Sequence, residues 1–348
     1  MREERIVSKL RKVIGFAMIV AGISIAAVQL AKGGAPTHAG QAGAAPVQAV
    51  EVPRIENAKL ETDAVGTSLD ATFRELAGKA EAPEWVGYSV DEIAGERGVC
   101  CDNNWNDGNC GTCRLEKENG GTVSSSHAEG SIKLEGARRL VVLYRLEAKQ
   151  VVKIRVASED CVMDAGGLPF VWLTGVKAQE SVALLATYVR SPYFEEHGER
   201  KIGNGALTAI ALHADASADR TLESFTAPEQ RESLRRHAAF WMGAARGKAG
   251  LTALQRMAKT DPSSGVRAQV AFAFSVSHEP GALDEMIRMA HDDTSSHVRG
   301  QALFWYFTIT AACNESPHFA PLGCETARDP GTTMASSGMM SGSVSLAV

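Results

Sequence analysis

Five cysteines in one part of the chain are the residues whose types and spacing could do chemistry: Cys100, Cys101, Cys110, Cys113 and Cys161. Cys110 and Cys113 have the Cys-x-x-Cys spacing of a metal-ligand pair or a redox pair. Cys100 and Cys101 are adjacent, and because neighbouring side chains diverge they would complete a zinc site poorly. In an exported domain disulfide bonds are the favoured interpretation, and a metal site and a redox-active pair stay as alternatives.

Five cysteines cannot all pair with one another. The remaining cysteine is a free thiol, pairs with Cys313 or Cys324 near the C-terminus, or joins another chain. No thioredoxin-like βαβ pattern surrounds Cys110 and Cys113, which weakens the redox interpretation.

Two acidic residues form a second candidate. Asp160 and Asp164 lie directly after a predicted strand, and Asp164 is followed closely by Gly166-Gly167. Paired acids beside such a turn could position a cation or a general base. A tight turn in which the Asp side chains bond the backbone is the favoured interpretation.

Common catalytic and nucleotide-binding motifs are absent from the sequence, including the Walker loop, His-Glu-x-x-His and Gly-x-Ser-x-Gly. We therefore predict no catalytic residues and no cofactor. The formal net charge is −5, and acidic and basic residues balance within 203–306. A nucleic-acid-binding protein normally carries a basic face, so the composition argues against that class.

The N-terminus predicts export. A basic flank covers 1–12, and the uncharged run Val13–Ala31 has the length of a membrane-spanning helix or a signal segment. Positive charges before the run favour an anchor with the remaining chain outside the inner membrane. Cleavage after the run would instead release a secreted protein. Either outcome predicts a location in the cell envelope or beyond it.

The elements that must position the cysteines follow a spacer. Residues 32–80 read as a flexible linker with one short helix, which begins after the N-cap residue Ser68. Residues 83–190 predict a small α+β domain that contains the cysteines. Its signals are a hairpin of two β-branched runs, Leu140–Tyr144 and Val151–Val156, and a helix over Ala178–Val189.

A repeat of 32 residues dominates the region that follows. Arg235, Arg267 and Arg299 correspond, and so do Phe240, Phe272 and Phe304. A fixed period that preserves apolar positions indicates stacked supersecondary units. The predicted helices are Pro228–Gly243, Leu251–Thr260, Ser264–Val276, Gly281–His291 and Ser296–Tyr306, with a degenerate unit before them.

These residues resemble HEAT-repeat proteins of the short variety known from phycobilin lyases. The resemblance covers about 205–306 and is carried by Asp261-Pro262 ahead of Arg267 and by Asp293 ahead of Arg299. It implies an α-solenoid, in which the Asp caps a turn and the Arg forms a ladder between units. The first unit has Ala227-Pro228 in place of the Asp, which weakens its predicted ladder contact.

Two tryptophans occupy equivalent places in the repeat. Trp241 and Trp305 could anchor a partner on a binding face, although core packing is the favoured interpretation. The resemblance also implies a further alternative, because one relative of the family binds two irons through His-Glu pairs on its repeats. Such a site needs several convergent pairs, and His278-Glu279 is the single such pair in the repeats of this sequence.

The pattern stops after Tyr306. Residues 307–348 read as an irregular tail that contains Pro317 and Pro321, which would interrupt a packing helix. A solenoid needs a terminal cap, so the tail either crosses over as that cap or is an accident of a shifted reading frame.

The sequence as a whole predicts a multi-domain protein, a small cysteine-containing α+β domain followed by a HEAT-like α-solenoid. The expected function is a non-catalytic scaffold of the cell envelope that presents a helical face to a protein partner. An enzyme or a redox or metal accessory, with its chemistry in 83–190, is the alternative. In a third interpretation the solenoid packs on the small domain and stabilises it.

Overall fold

The computed structural model of the chain describes residues 52–94, 109–110, 113–116, 132–133, 139–190 and 200–315. The predicted basic flank, the predicted membrane segment Val13–Ala31, Cys100 and Cys101 lie outside these residues. Within the described part, no helix has the length and apolar character that crossing a membrane requires.

Ten short or medium strands form three sheets in the described residues. The central sheet has five strands in the order β2-β10-β3-β7-β8, with two parallel pairs at one side and two antiparallel pairs at the other. A small parallel sheet has the order β1-β9-β5, and β4 pairs with β6. The strands are β1 (Ile55–Glu56), β2 (Lys59–Ala64), β3 (Glu84–Asp91), β4 (Asn109–Cys110), β5 (Cys113–Arg114), β6 (Ile132–Lys133), β7 (Arg139–Glu147), β8 (Gln150–Ser158), β9 (Met163–Asp164) and β10 (Pro169–Thr174).

Part of the predicted linker belongs to the folded protein. Residues 32–80 were expected to be flexible apart from one helix, but β1 and β2 lie within this range and pair with β9 and β10. Every residue of strand β2 is exposed, so the strand lacks the buried alternate positions by which a strand is recognised in sequence. The predicted helix is present as α1 (Leu69–Lys79), and the Ser68 side chain accepts from the Ala71 N–H at 3.2 Å.

The central sheet separates two hydrophobic cores. Along β7, Val141 and Leu143 point into a small core that also holds Trp85 and Trp172. The alternate residue Tyr144 points into a large core on the opposite face. This follows from the two-residue period of a strand, and burial of both faces explains why β7 reads as a continuous apolar run.

Eight helices follow the sheet strands in the described residues, and the last six form what we call the helical array (216–315). Helices α5, α7 and α9 contact one another in succession, and α6 and α8 pack behind them. Their bounds are α2 (Ala178–Arg190), α3 (Arg200–Leu212), α4 (Ala216–Phe225), α5 (Glu232–Ala245), α6 (Gly247–Thr260), α7 (Ser264–Ser275), α8 (Ala282–Asp292) and α9 (Ser296–Glu315).

The last helix is longer than the repeat predicts. Helix α9 was expected to end at Tyr306, with an irregular tail from residue 307, but it continues to Glu315. The first residue that breaks a helix after Ser296 is Pro317, so nothing in the intervening sequence stops it. Residues 316–348 lie outside the described residues.

Sheet and helices share one core. The large core runs from the sheet through α2 and α3 into the helical array without interruption. Helix α3 packs on β8 so closely that a Cβ added at Gly205 would lie 2.3 Å from the Ile154 carbonyl oxygen. The predicted α+β domain (83–190) and the predicted helical region (203–306) are therefore joined by a buried backbone contact.

Candidate functional site

In the first two repeat units an arginine reaches forward to an aspartate of the next unit. The Arg235 guanidinium donates from Nε and Nη2 to the two carboxylate oxygens of Asp261, at 2.8 and 3.1 Å. Both side chains are almost fully buried. Asp261 also accepts from the Ser263 N–H at 2.9 Å, which holds the turn before α7. Because the contact runs forward, the missing Asp of the first unit does not remove it.

The second unit repeats this geometry. Arg267 donates to both oxygens of Asp293, at 2.8 and 3.1 Å, and Nη1 donates to the Asp261 carbonyl at 2.9 Å. Burial alone would raise the pKa of Asp293, but hydrogen bonds from Arg267 and the Ser295 N–H outweigh it and lower that pKa below its usual value. These bidentate pairs fix the spacing of successive units.

The third arginine has only half of these contacts within the described residues. Arg299 donates from Nη1 to the carbonyls of Asp293 and Thr294, at 2.7 and 3.2 Å. No carboxylate of the described residues pairs with its guanidinium. The ladder predicted from Arg235, Arg267 and Arg299 thus ends with one arginine whose forward position is open in the described part of the chain.

Aromatic side chains at repeat spacing form a stripe along one face of the array. We call it the aromatic stripe, and it consists of Phe240, Trp241, Phe272, Phe304 and Trp305. The rings of Phe240 and Phe272 stack at 5.9 Å between centroids, and those of Phe272 and Trp305 lie 4.6 Å apart. Phe240 contacts Trp241 edge-on at 5.0 Å, as Phe304 does Trp305. The stripe joins α5, α7 and α9 across the surface.

The stripe is partly open to solvent. Phe240 and Phe272 are half-buried, and Phe304 is 41% exposed. Trp241 and Trp305 pack against the large core without being fully buried, so their position lies between the two predicted alternatives.

The stripe widens at its C-terminal end. Leu303 is 44% exposed and Phe307 is 63% exposed, beside Phe304. Singly scattered apolar side chains on a surface are ordinary, but a contiguous apolar patch marks a contact surface. The sequence indicated the 32-residue spacing of the phenylalanines, and exposure was the property that it did not reveal.

The cysteines described by the structure have little reactivity. Cys113 is disulfide-bonded, and its side chain lies in the small core. Cys161 is 1% exposed in the same core. Burial raises the pKa of the Cys161 thiol to about 12, which disfavours the thiolate needed for nucleophilic or metal-binding chemistry. The side chain of Cys110 lies outside the described residues.

The acidic turn has an ordinary structural explanation. The Asp164 carboxylate accepts from the Gly166 N–H at 2.9 Å, and Gly166 has a φ of 67°. This is a side chain that bonds the backbone two residues later, at a left-handed position. Among the described residues, no group of three or more His, Cys, Asp or Glu side chains could hold a metal ion.

A buried chain of hydrogen bonds, which sequence reasoning missed, joins the sheet to the helices. It runs from Tyr144 to Tyr88 at 2.9 Å, to Ser181 at 2.7 Å and to His213 at 2.8 Å. His213 Nδ1 lies 2.6 Å from the Ala209 carbonyl. A carbonyl only accepts, so Nδ1 carries the proton and Nε2 accepts from the Ser181 hydroxyl.

Burial controls the protonation of this network. It lowers the pKa of His213 to about 4 and raises that of Tyr88 to about 12. The Arg246 guanidinium completes the junction by donating to the His213 carbonyl at 2.7 Å and to Asp219 at 2.7 Å. The side chains of Tyr144, Tyr88, Ser181 and His213 are all buried. Ser181 and His213 therefore act as structural groups. The bonded residues of this network lie 32 to 93 positions apart in the sequence, so no short sequence motif reveals it.

Comparisons with known proteins give no family. No family model and no curated protein matches the chain. One solved structure, human deoxyhypusine hydroxylase in complex with glycerol, is similar over 36% of this chain and 43% of that one, with 19% identity and a TM-score of 0.29. A likeness of this size supports no argument about function.

Proposed function

We propose that the helical array is a short HEAT-like solenoid that binds a protein partner through the aromatic stripe, and that the chain acts as a non-catalytic scaffold of the cell envelope. The observation that carries the proposal is the partly exposed series of Phe240, Phe272 and Phe304 at one position in three successive units, in which the first two rings stack on each other. Aromatic side chains fixed by their neighbours lose little conformational entropy on binding.

The surroundings of the stripe fit the centre of an interface. One helical turn before the phenylalanines lie His237, Gln269 and Gln301, and one turn after them lie Ala244, Val276 and Thr308. Among all the residues three or four positions from the three phenylalanines, the single charged side chain is the exposed Arg236. Interface cores are enriched in aromatic residues and depleted of charge. The expected partner is an amphipathic helix or another apolar surface of similar width.

The alternative function, chemistry in 83–190, receives less support. Cys161 is buried with a raised thiol pKa, Cys113 is disulfide-bonded, and the Asp164 carboxylate holds its own turn. Location in the envelope rests on the uncharged run Val13–Ala31 and its basic flank.

Site-specific photo-crosslinking tests the proposed function. A photoreactive amino acid replaces Phe272 in the full-length chain expressed in the producing cell, and the control places it at the exposed Lys259 on α6. We expect one defined protein to crosslink at 272 and not at 259. Phe240→Ser should reduce that product strongly because the aromatic neighbour is lost. Equal products at both positions, or none at 272, would exclude the stripe as the binding face.

A second arm separates the scaffold from a thiol enzyme. The double variant Cys110→Ser, Cys113→Ser should keep the crosslink at 272 if the array folds and binds independently of the cysteines. Circular dichroism first establishes that the variant is folded. A folded double variant that loses the crosslink would favour a function centred on the cysteines.

A further inference from the structure

Two polar side chains at repeat spacing lie beside the aromatic stripe. Gln269 and Gln301 precede Phe272 and Phe304 by three residues, so each glutamine neighbours its phenylalanine on the surface of the helix. Both glutamines are half-buried, and within the described residues neither side chain forms a hydrogen bond with another protein group. Each amide therefore keeps its donors and its acceptor for a bound molecule.

The two amides limit what can cover the stripe. A partner that buried them without hydrogen bonds would remove their solvation and weaken its own binding. An α-helix bonds its backbone N–H and C=O groups internally, so it offers the amides only side chains. An extended segment has unbonded backbone carbonyls, which can accept from both amides while its side chains pack on the phenylalanines. The glutamines therefore favour an extended segment over a helix.

The distance between units selects the type of extended segment. Packed helices lie about 8–10 Å apart, and α5 and α7 are in close contact, since a Cβ added at Gly243 would lie 2.1 Å from the Ala273 carbonyl oxygen. A polyproline II helix repeats every three residues, which is about 9.3 Å at about 3.1 Å per residue. A β-strand presents the same side every two residues, or about 6.8 Å. The polyproline II repeat matches the distance between units, and the β-strand repeat does not.

The charge of the surface is complementary to a proline-rich segment. Arg236, at the α5 end of the stripe, is the single charged residue within one helical turn of the three phenylalanines. Proline is uncharged and has no backbone N–H, so a proline-rich segment brings few polar groups other than its carbonyls to the surface. One acidic residue at an end of the segment would pair with Arg236 and fix its direction.

We propose that the partner segment is a proline-rich polyproline II helix, which crosses α5, α7 and α9 along the aromatic stripe. Its apolar side chains, three residues apart, pack on Phe240, Phe272 and Phe304. Its backbone carbonyls accept from the side-chain amides of Gln269 and Gln301. This inference rests on the proposed function and specifies the chemistry of the partner. A polyproline II segment is already extended before it binds, so it loses little conformational entropy.

Binding of defined peptides to the purified full-length chain tests the inference. The probe is a fluorescent peptide of three Pro-Pro-Leu repeats, and its control has the same composition with the three leucines consecutive. We expect the repeat peptide to bind at least tenfold more tightly, because its leucines recur at the spacing of the units. Phe272→Ser should abolish this difference, since it removes the central ring of the stripe. Equal affinity of the two peptides for the unmodified chain would overturn the inference.

Removal of the amides distinguishes an extended partner from a helix. The double variant Gln269→Leu, Gln301→Leu should weaken binding of the repeat peptide about tenfold, because the peptide carbonyls lose their donors. Gln255→Leu, on α6 and outside the stripe, is the matched control and should leave the affinity unchanged. A double variant that binds the repeat peptide as tightly as the control does would contradict the proposed carbonyl contacts and overturn the inference.

The pairing with Arg236 has the smallest expected effect. A glutamate added at one end of the repeat peptide should raise the affinity about two- to threefold, and a glutamate at the other end should not. Arg236→Gln should remove the gain. An equal gain at both ends, or no gain at either, would show that Arg236 does not fix the direction of the segment.

A failure of this inference is distinguishable from a failure of the proposed function. A leucine-rich amphipathic helical peptide is the comparison probe. If it binds the stripe and the repeat peptide does not, the inference is overturned and the proposed function stands. The same conclusion follows if a protein crosslinks at 272 through a helical segment. An absence of any crosslink at 272 would exclude the stripe as a binding face and overturn both.

Discussion

The two ends of the helical region are completed in different ways. At the sheet end, α3 lies against β8 through the backbone contact at Gly205, and the buried groups of His213 and Arg246 are all hydrogen-bonded. At the opposite end, α9 exposes Leu303 and Phe307 and leaves Arg299 without a carboxylate among the described residues. The sheet end depends on close backbone contacts and paired polar groups. The α9 end is an exposed apolar surface.

The difference shows where the molecule tolerates change. A close backbone contact leaves no room for a larger side chain, since interiors are packed as densely as organic crystals. An exposed apolar surface accepts side chains of many shapes. Substitutions of the same type should therefore lower the free energy of unfolding by different amounts at the two ends.

Glycine replacement should reveal the largest contrast. Gly205→Leu forces α3 away from the Ile154 carbonyl and should lower the free energy of unfolding by about 5 kcal/mol or more. Gly300→Leu, in α9, meets no atom within 4 Å of its Cβ and should change stability by less than about 1 kcal/mol. Urea unfolding of both variants makes the measurement. Similar midpoints would show that the sheet contact is not close in solution.

The arginine ladder should give the next largest contrast. Arg235→Gln leaves the buried Asp261 carboxylate without its partner and should cost about 3 kcal/mol. Arg299→Gln removes a more exposed guanidinium and should cost less than about 1 kcal/mol. Thermal and urea unfolding provide the two values. An equal loss in both variants would mean that Arg299 has a buried acidic partner.

Acid should weaken the sheet end selectively, by a smaller amount. The pKa of His213 is lowered from 6.5 to about 4 in the folded protein, so the unfolded chain binds the proton first as pH falls. Stability is then lost from pH 6.5 down to about 4, with about 2 kcal/mol lost by pH 5. His213→Gln should flatten this dependence, and His237→Gln, on the exposed surface of α5, should not. Urea unfolding at pH 7 and pH 5 compares the three proteins.

Sequence reasoning succeeded where the signal is local and periodic. The helices predicted at Leu251–Thr260, Ser264–Val276 and Gly281–His291 differ from the structure by a few residues. The arginine–aspartate ladder was predicted as residue types, but its direction was not: the first unit was expected to have a weakened contact, whereas Arg235 pairs forward with Asp261. These features depend on neighbours along the chain or on an exact repeat.

Sequence reasoning failed where the contact that determines the structure joins residues that are far apart in the sequence. Strand β2 is exposed and polar, and only its pairing with β10 makes it a strand. The contact of Gly205 with Ile154 is equally invisible, because a glycine in a helix has no side chain to form a pattern. The path from Tyr144 to His213 joins four residues that share no motif. Each of these features lies between parts of the chain that fold against one another.

The pairing of β2 with β10 has a consequence for synthesis. The Thr174 hydroxyl donates to the Asp63 carbonyl, 111 residues earlier in the chain. A ribosome adds about 5–20 residues per second, so β2 emerges on the order of ten seconds before its partner exists. During that interval Lys59, Glu61 and Asp63 keep the unpaired strand charged and separated from other nascent chains. The exposed, charged side chains that make β2 difficult to predict from the sequence thus also oppose its association with other chains before β10 is synthesised.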